Sequence, residues 1–240
     1  MSNGLVNPQV RLLMRGIRRD QAVRAERVRH PLILPKLKKV VQAISLLDIS
    51  FSEKIRLRAA MLLAFWGFLR SAEYCTSGNG DTYLRNKDIR IWSSKDGAGY
   101  LEIYLVRSKS SQFKPVKIYI HGNKSKFCAV KAIRLYNKLA VRRYRDPEGP
   151  FFGITGSQLT SYGFNILLKQ AVHRAGMDSK LYSAHSLRAG AATTAANTGV
   201  PPFLIQKLGR WKRSHLNFTS KNPNWLLKKL KGPCYTEFKN

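Results

Sequence analysis

The chain reads as an α+β protein, mostly helical with a small three-stranded antiparallel sheet. Apolar residues recur at helical spacing toward both ends, and in the middle they alternate with period two. Glycine-, aspartate- and serine-rich stretches separate the alternating runs, as expected of strands joined by turns.

Residues 8–29 form the first expected helix, a very basic one. Val10, Leu12, Leu13 and Ile17 are interspersed with Arg11, Arg15, Arg18, Arg19, Arg24, Arg27 and Arg29. Pro31 and Pro35 punctuate the next stretch and suggest a boundary near 28–36. A helix is expected around 36–46 on Leu37, Val40, Val41 and Ile44, and Ser52 is read as the cap of another that runs through Phe65 and Trp66 to Leu69. The expected strands are Asp88–Trp92, Tyr100–Arg107 and Pro115–Ile120. In the second, Leu101, Ile103 and Leu105 face inward while Glu102, Tyr104 and Val106 face solvent, which is the half-buried antiparallel pattern. Helices return at about 126–143, 161–175, 185–198 and 201–208, with Gly176 and Gly199 closing the second and third. Helices, a meander, then helices again make an α+β domain.

Composition narrows the class of partner. With 240 residues, 44% of them hydrophobic, the chain can bury one substantial core. Its 43 Lys and Arg against 13 Asp and Glu give a net charge of +30, which repels itself in a compact state unless a polyanion is the usual partner. Nucleic acid fits best, since each neutralised phosphate releases counterions. No apolar run approaches the roughly 20 residues that span a bilayer, and no signal-peptide core opens the chain, so no membrane partner is expected. Cys75, Cys128 and Cys234 are odd in number and lack any CxxC, and the five histidines are scattered, which points away from disulfide or metal frameworks.

Four stretches carry candidate chemistry. Gly67-Phe68-Leu69-Arg70-Ser71-Ala72-Glu73 brings Arg70 out of an apolar helix, with Glu73 at i+3 able to orient it. Ser108-Lys109-Ser110-Ser111-Gln112 puts Lys109 in the turn between the second and third strands, where Lys114 and Lys117 compete for the same part. His185-Ser186-Leu187-Arg188 sets an imidazole and a guanidinium one helical turn apart, suited to one anion, and Leu-Gly-Arg-Trp at 208–211 adds an indole donor. Taken singly, each is as readily an ordinary helix-end or hairpin residue.

In this order the blocks resemble the catalytic domain of tyrosine recombinases, over about residues 35–223, and the wording of the motifs is similar to recombinases of DIRS- and Ngaro-type eukaryotic mobile elements. The resemblance implies one catalytic domain over 31–223, a remnant of an N-terminal core-binding domain and linker over 1–30, and an atypical tail over 224–240. It implies that Arg70 and Arg188 grip the scissile phosphate, that Lys109 protonates the departing 5′-oxygen, that His185 and Trp211 complete the site, and that Glu73 supports Arg70. Double-stranded DNA is the implied substrate, with Arg11, Arg15, Arg18 and Arg19 as further contacts. The implied assembly is a homo-oligomer on DNA in the nucleus of a eukaryotic host, with no metal, nucleotide or small-molecule substrate.

The family's nucleophile is a tyrosine shortly after the His/Trp position. Aligned without gaps on Trp211 and Pro223, this chain has Thr219 there, and no tyrosine lies between Tyr182 and Tyr235. A threonine hydroxyl is too short and too weakly acidic to substitute, so cleavage is expected to be lost. Three readings stay open: a decayed mobile element, Tyr235 acting from a rearranged tail, or an altered reading of the gene after Trp211. Two non-catalytic functions also stay open, a basic DNA binder using 191–209 as a helix-turn-helix and a structural RNA binder. Convergence of Arg70, Lys109, His185, Arg188 and Trp211 on one cleft separates the first class from these.

Overall fold

The structure is a computed structural model that describes residues 29–76, 83–93, 99–105, 115–140, 146–154 and 157–211. Residues 8–28 of the expected helix, with its arginines 11, 15, 18 and 19, the Lys109 turn, Thr219 and Tyr235 lie outside the described residues.

The stretch expected as a boundary is, from residue 29 on, part of the packed unit. Leu32 is fully buried, and its N–H donates to Ser186 O at 2.8 Å, while His30 N–H donates to Leu181 O at 2.9 Å. Helix α1 (Leu34–Ala43) starts with proline in its first turn, where a missing N–H costs nothing, and buries Leu37, Val40, Val41 and Ala43. Helix α2 (Phe51–Trp66) begins earlier than the expected cap at Ser52. Ser50 caps it, with Glu53 N–H donating to Ser50 Oγ at 3.2 Å and Ser50 N–H to Glu53 Oε2 at 3.3 Å. The helix also stops at Trp66 rather than Leu69, because Gly67 closes it and Phe68 turns into the left-handed region at φ 50°. Its Leu57–Phe65 run is almost wholly buried and forms the centre of the core.

Short helix α3 (Ser71–Tyr74) leads to the sheet, whose order is β1 (Ile89–Trp92), β2 (Tyr100–Leu105), β3 (Val116–His121), both pairs antiparallel. Leu101, Ile103 and Leu105 point into the core as expected. Glu102 departs from the expectation of a solvated face: it is 6% exposed, because Trp92 Nε1 donates to it at 3.1 Å and Lys117 pairs with it at 3.3 Å.

Helix α4 (Ala129–Ala140) packs on α2 and is pinned by Tyr136, whose hydroxyl donates to Phe151 O at 2.9 Å. Helix α5 (Ser161–Arg174) is capped by Thr160, which accepts from Gly163 N–H at 3.0 Å. Helix α6 (Ala184–Asn197) is built largely of alanine, with Gly190 where it meets the 29–33 segment. A Cβ on Gly190 would overlap the Leu32 main chain, so glycine permits that close approach. After Gly199, at φ 84°, helix α7 (Pro202–Gly209) returns toward the end of α2 and closes on Arg210 in the left-handed conformation, φ 53°. Among the described residues no helix is long and apolar enough to cross a membrane.

Candidate phosphate-binding site

The turn after α2, helix α6 and the turn after α7 meet where α2 ends. The left-handed Phe68 aims its carbonyl back across this junction, where Arg188 Nη1 and Arg210 Nη2 both donate to it, the latter at 3.1 Å. Glu73 on α3 is 3% exposed and takes the charges. Its Oε1 accepts from Arg70 Nη1 at 3.0 Å, and its Oε2 accepts from Arg70 N–H and Arg210 Nη2, each at 2.8 Å. One carboxylate therefore balances three guanidinium groups, and the junction keeps an excess of positive charge.

The three arginines differ in what they offer an anion. Arg188 is 1% exposed, its Nη1 and Nη2 donate to the Phe68 and Gly209 carbonyls, and its guanidinium lies 4.6 Å from the Trp211 ring centre. Burial, and then the charges of Arg70 and Arg210, push its pKa down to about 9, which still leaves it protonated at neutral pH. Arg210 is also well buried, and only Arg70, with a side chain 25% exposed, opens onto solvent. The geometry is that of one presented guanidinium backed by two that supply field and rigidity.

His185 sits one turn before Arg188 on α6 and is exposed. Partial desolvation of its ring comes first, then the charges of Arg188, Arg29 and Arg70, and together they hold it below the ordinary imidazole value. With Arg29, Lys169, Lys180, Ser71 and Tyr182 it lines a cleft of about 690 Å³. Among the described residues no carboxylate lines that cleft, so its lining forms a cationic bed beside Arg70. Asn165 on its wall is fixed by accepting from Ala184 N–H at 2.9 Å, which anchors the start of α6.

Among the expected site residues, Arg70, Glu73, Arg188 and Trp211 are brought together, and His185 stands at the cleft beside them. Trp211 lies edge-on to Phe68 with ring centres 6.4 Å apart, and Gly209 makes room, since a Cβ there would overlap the indole. Arg210 escapes the sequence reading, although it is the second cation on Glu73. Its signal in the chain is its place inside the Leu-Gly-Arg-Trp block, where the resemblance gives a part to Trp211 alone. Arg29, Lys169 and Lys180 carry no motif, and only the fold brings them to one cleft.

Comparison with known proteins gives these residues a setting. Residues 36–219 match the phage integrase family. The integrase/recombinase xerD homolog of Selenomonas ruminantium is 26% identical over 215 residues, covering 85% of this chain and 56% of that protein. The chain thus spans about half the length of the curated relative it matches. Among solved structures, XerA recombinase superposes with a TM-score of 0.53 at 18% identity, over 76% of this chain and 55% of that one. A lambda integrase tetramer bound to a Holliday junction gives 0.54 at 18%, over 86% and 57%. The chain belongs to the phage integrase family, and its fold is that of the tyrosine recombinase catalytic domain.

Proposed function

We propose that this protein binds double-stranded DNA and holds a backbone phosphate at Arg70 as a strand-exchange recombinase does, but that it cannot cleave because Thr219 stands where the nucleophile belongs. The observation that carries the reading is the junction itself: Arg70 and Arg210 share Glu73, Arg188 is tied to Phe68 beside them, Arg70 lies more than a hundred residues from the other two, and among the described residues no acid lines the adjoining cleft. A generic basic binder has no need to bury two guanidinium groups behind a third. In the intact reaction a tyrosine oxygen would attack the phosphorus, form a 3′-phosphotyrosyl ester and release the 5′-oxygen, which takes up a proton from Lys109. The fixed guanidinium groups would stabilise the charge building on the phosphoryl oxygens.

The further parts of the proposal rest on the motifs. Gly67–Glu73, His185–Arg188 and Leu208–Trp211 support kinship with DIRS- and Ngaro-type mobile elements, and hence a nuclear place of action in a eukaryotic host. Residues 31–223 are proposed as the catalytic domain, 1–30 as core-binding-domain and linker sequence and 224–240 as an atypical tail, with several copies assembling on DNA.

The test is covalent capture on a nicked suicide duplex. The natural chain should bind the duplex and form no adduct, Thr219→Tyr should form one, and adding Arg70→Ala should abolish it. An adduct formed by the natural chain would overturn the loss of cleavage and direct attention to Tyr235. Duplex binding without an adduct in Thr219→Tyr would favour the non-catalytic module.

A further inference from the structure

The solvent face of the sheet carries rings where a merely hydrated face carries small polar or charged residues. Strand pairing places Trp92, Tyr100 and His121 in one row across the three strands, and Arg90, Glu102 and Tyr119 in the next. Trp92 stacks on Tyr100 with ring centres 5.9 Å apart and planes 16° from parallel, and Tyr119 lies 6.1 Å from Tyr100. Trp92 is 44% and Tyr119 51% exposed. The acid in these rows, Glu102, is buried beneath them, holding the Trp92 indole and paired with Lys117. Its charge is met from within, and it fixes the indole in place. Beside the rings, Lys117 and Arg90 approach the Tyr104 ring at 4.8 and 5.7 Å.

We infer that this face is a platform for single-stranded nucleic acid, on which unpaired bases stack on Trp92 and Tyr119 while Arg90 and Lys117 meet the phosphates. The juxtaposition of exposed rings with flanking cations is what planar bases on a polyanionic strand require. Duplex DNA does not fit the same chemistry, because its bases are already stacked and show only their edges. A second copy of this chain fits worse, since self-association would set Arg90 and Lys117 against like charges on a protein of net charge +30. The platform lies outside the Arg70 junction, so it stands or falls separately from the duplex reading.

The full chain is titrated, by fluorescence anisotropy, against labelled oligodeoxythymidine of about 12 nucleotides and, in parallel, against a duplex, each at fixed salt. Tyr119→Ala and Trp92→Ala should each weaken oligothymidine binding by roughly tenfold or more, the scale of one lost base stack, and change duplex affinity less than about twofold. Tyr119→Phe, which keeps the ring, should bind as the natural chain does. Trp92→Ala also removes the bond to Glu102, so Tyr119→Ala is the deciding variant. Unchanged oligothymidine affinity in Tyr119→Ala, or an equal loss on duplex, would overturn the platform. So would a monomer–dimer shift on sedimentation with oligothymidine binding intact, which would assign the face to a second copy.

Discussion

Glu73→Gln should unsettle the whole junction while changing almost nothing in size. The carboxylate accepts three N–H groups, from Arg70 N, Arg70 Nη1 and Arg210 Nη2, in a place that water barely reaches. A glutamine offers one carbonyl oxygen, and its amide would turn N–H groups toward a guanidinium, donor against donor. Arg70, Arg188 and Arg210 would then face one another with no counter-charge. Removing one partner of a buried ion pair costs about 3–5 kcal/mol, and this is the appropriate figure here. Adding three charge-assisted bonds separately would count one shared network several times. For a chain of this size about 3–5 kcal/mol corresponds to roughly 6–20 °C in Tm. Urea and thermal unfolding of both proteins at neutral pH would measure it, and raising the salt several-fold should alter the difference little, because the pair is shielded from the bulk solution. A polyanion should recover part of the loss by taking the place of the missing charge. Arg210→Met combined with Glu73→Gln should cost less than the two changes separately, by about 0.5–3 kcal/mol, since they share one bond. A loss below about 1 kcal/mol, or strict additivity, would show that Glu73 is not the counter-ion of this site.

Gly190→Ala should destabilise despite alanine's better helix propensity, because the new Cβ would meet the Leu32 main chain. We expect a loss of at least about 1 kcal/mol in urea unfolding and faster hydrogen exchange at Leu32 N–H, which bonds Ser186 O; a stabilised variant would refute the tight contact. His185 should make stability fall in acid. Its folded pKa lies below the unfolded value of about 6.5, so the folded state binds fewer protons. The contribution is complete above about pH 6.5 and is lost as pH falls through that value toward the folded one. His185→Gln should remove this part of the difference between unfolding midpoints at about pH 5 and pH 7.5, and an identical pH dependence in both proteins would sink the assignment.

Burial by periodicity is what a chain displays most openly, and the elements that obey it are legible here. The α2 run from Leu57 to Phe65 and the Leu101, Ile103, Leu105 alternation can bury their apolar atoms in one way each, and they do. Boundaries are less legible where two residues compete for one part. Ser50 and Ser52 could both cap α2, but only Ser50 has a glutamate three residues on, at Glu53, to complete the reciprocal bonds. Glu102 misleads because strand alternation treats each position by itself, whereas its burial depends on Trp92 from one neighbouring strand and Lys117 from the other. The site shows the same division. Arg70, Glu73, His185 and Arg188 stand at helical spacings that announce a shared face, while Arg210 acts through a left-handed turn that no spacing rule encodes. That turn has a physical cause in its neighbours: Gly209 lacks the Cβ that would displace the Trp211 indole, Trp211 lies over Arg188, and Arg188 ties Gly209 back to Phe68. The loop of contacts closes only in three dimensions. A cation held by a closed loop of packing cannot swing out without opening α7, and because Arg210 shares the Glu73 carboxylate with Arg70, the rigidity that hides Arg210 from a sequence rule also holds the counter-ion that orients Arg70.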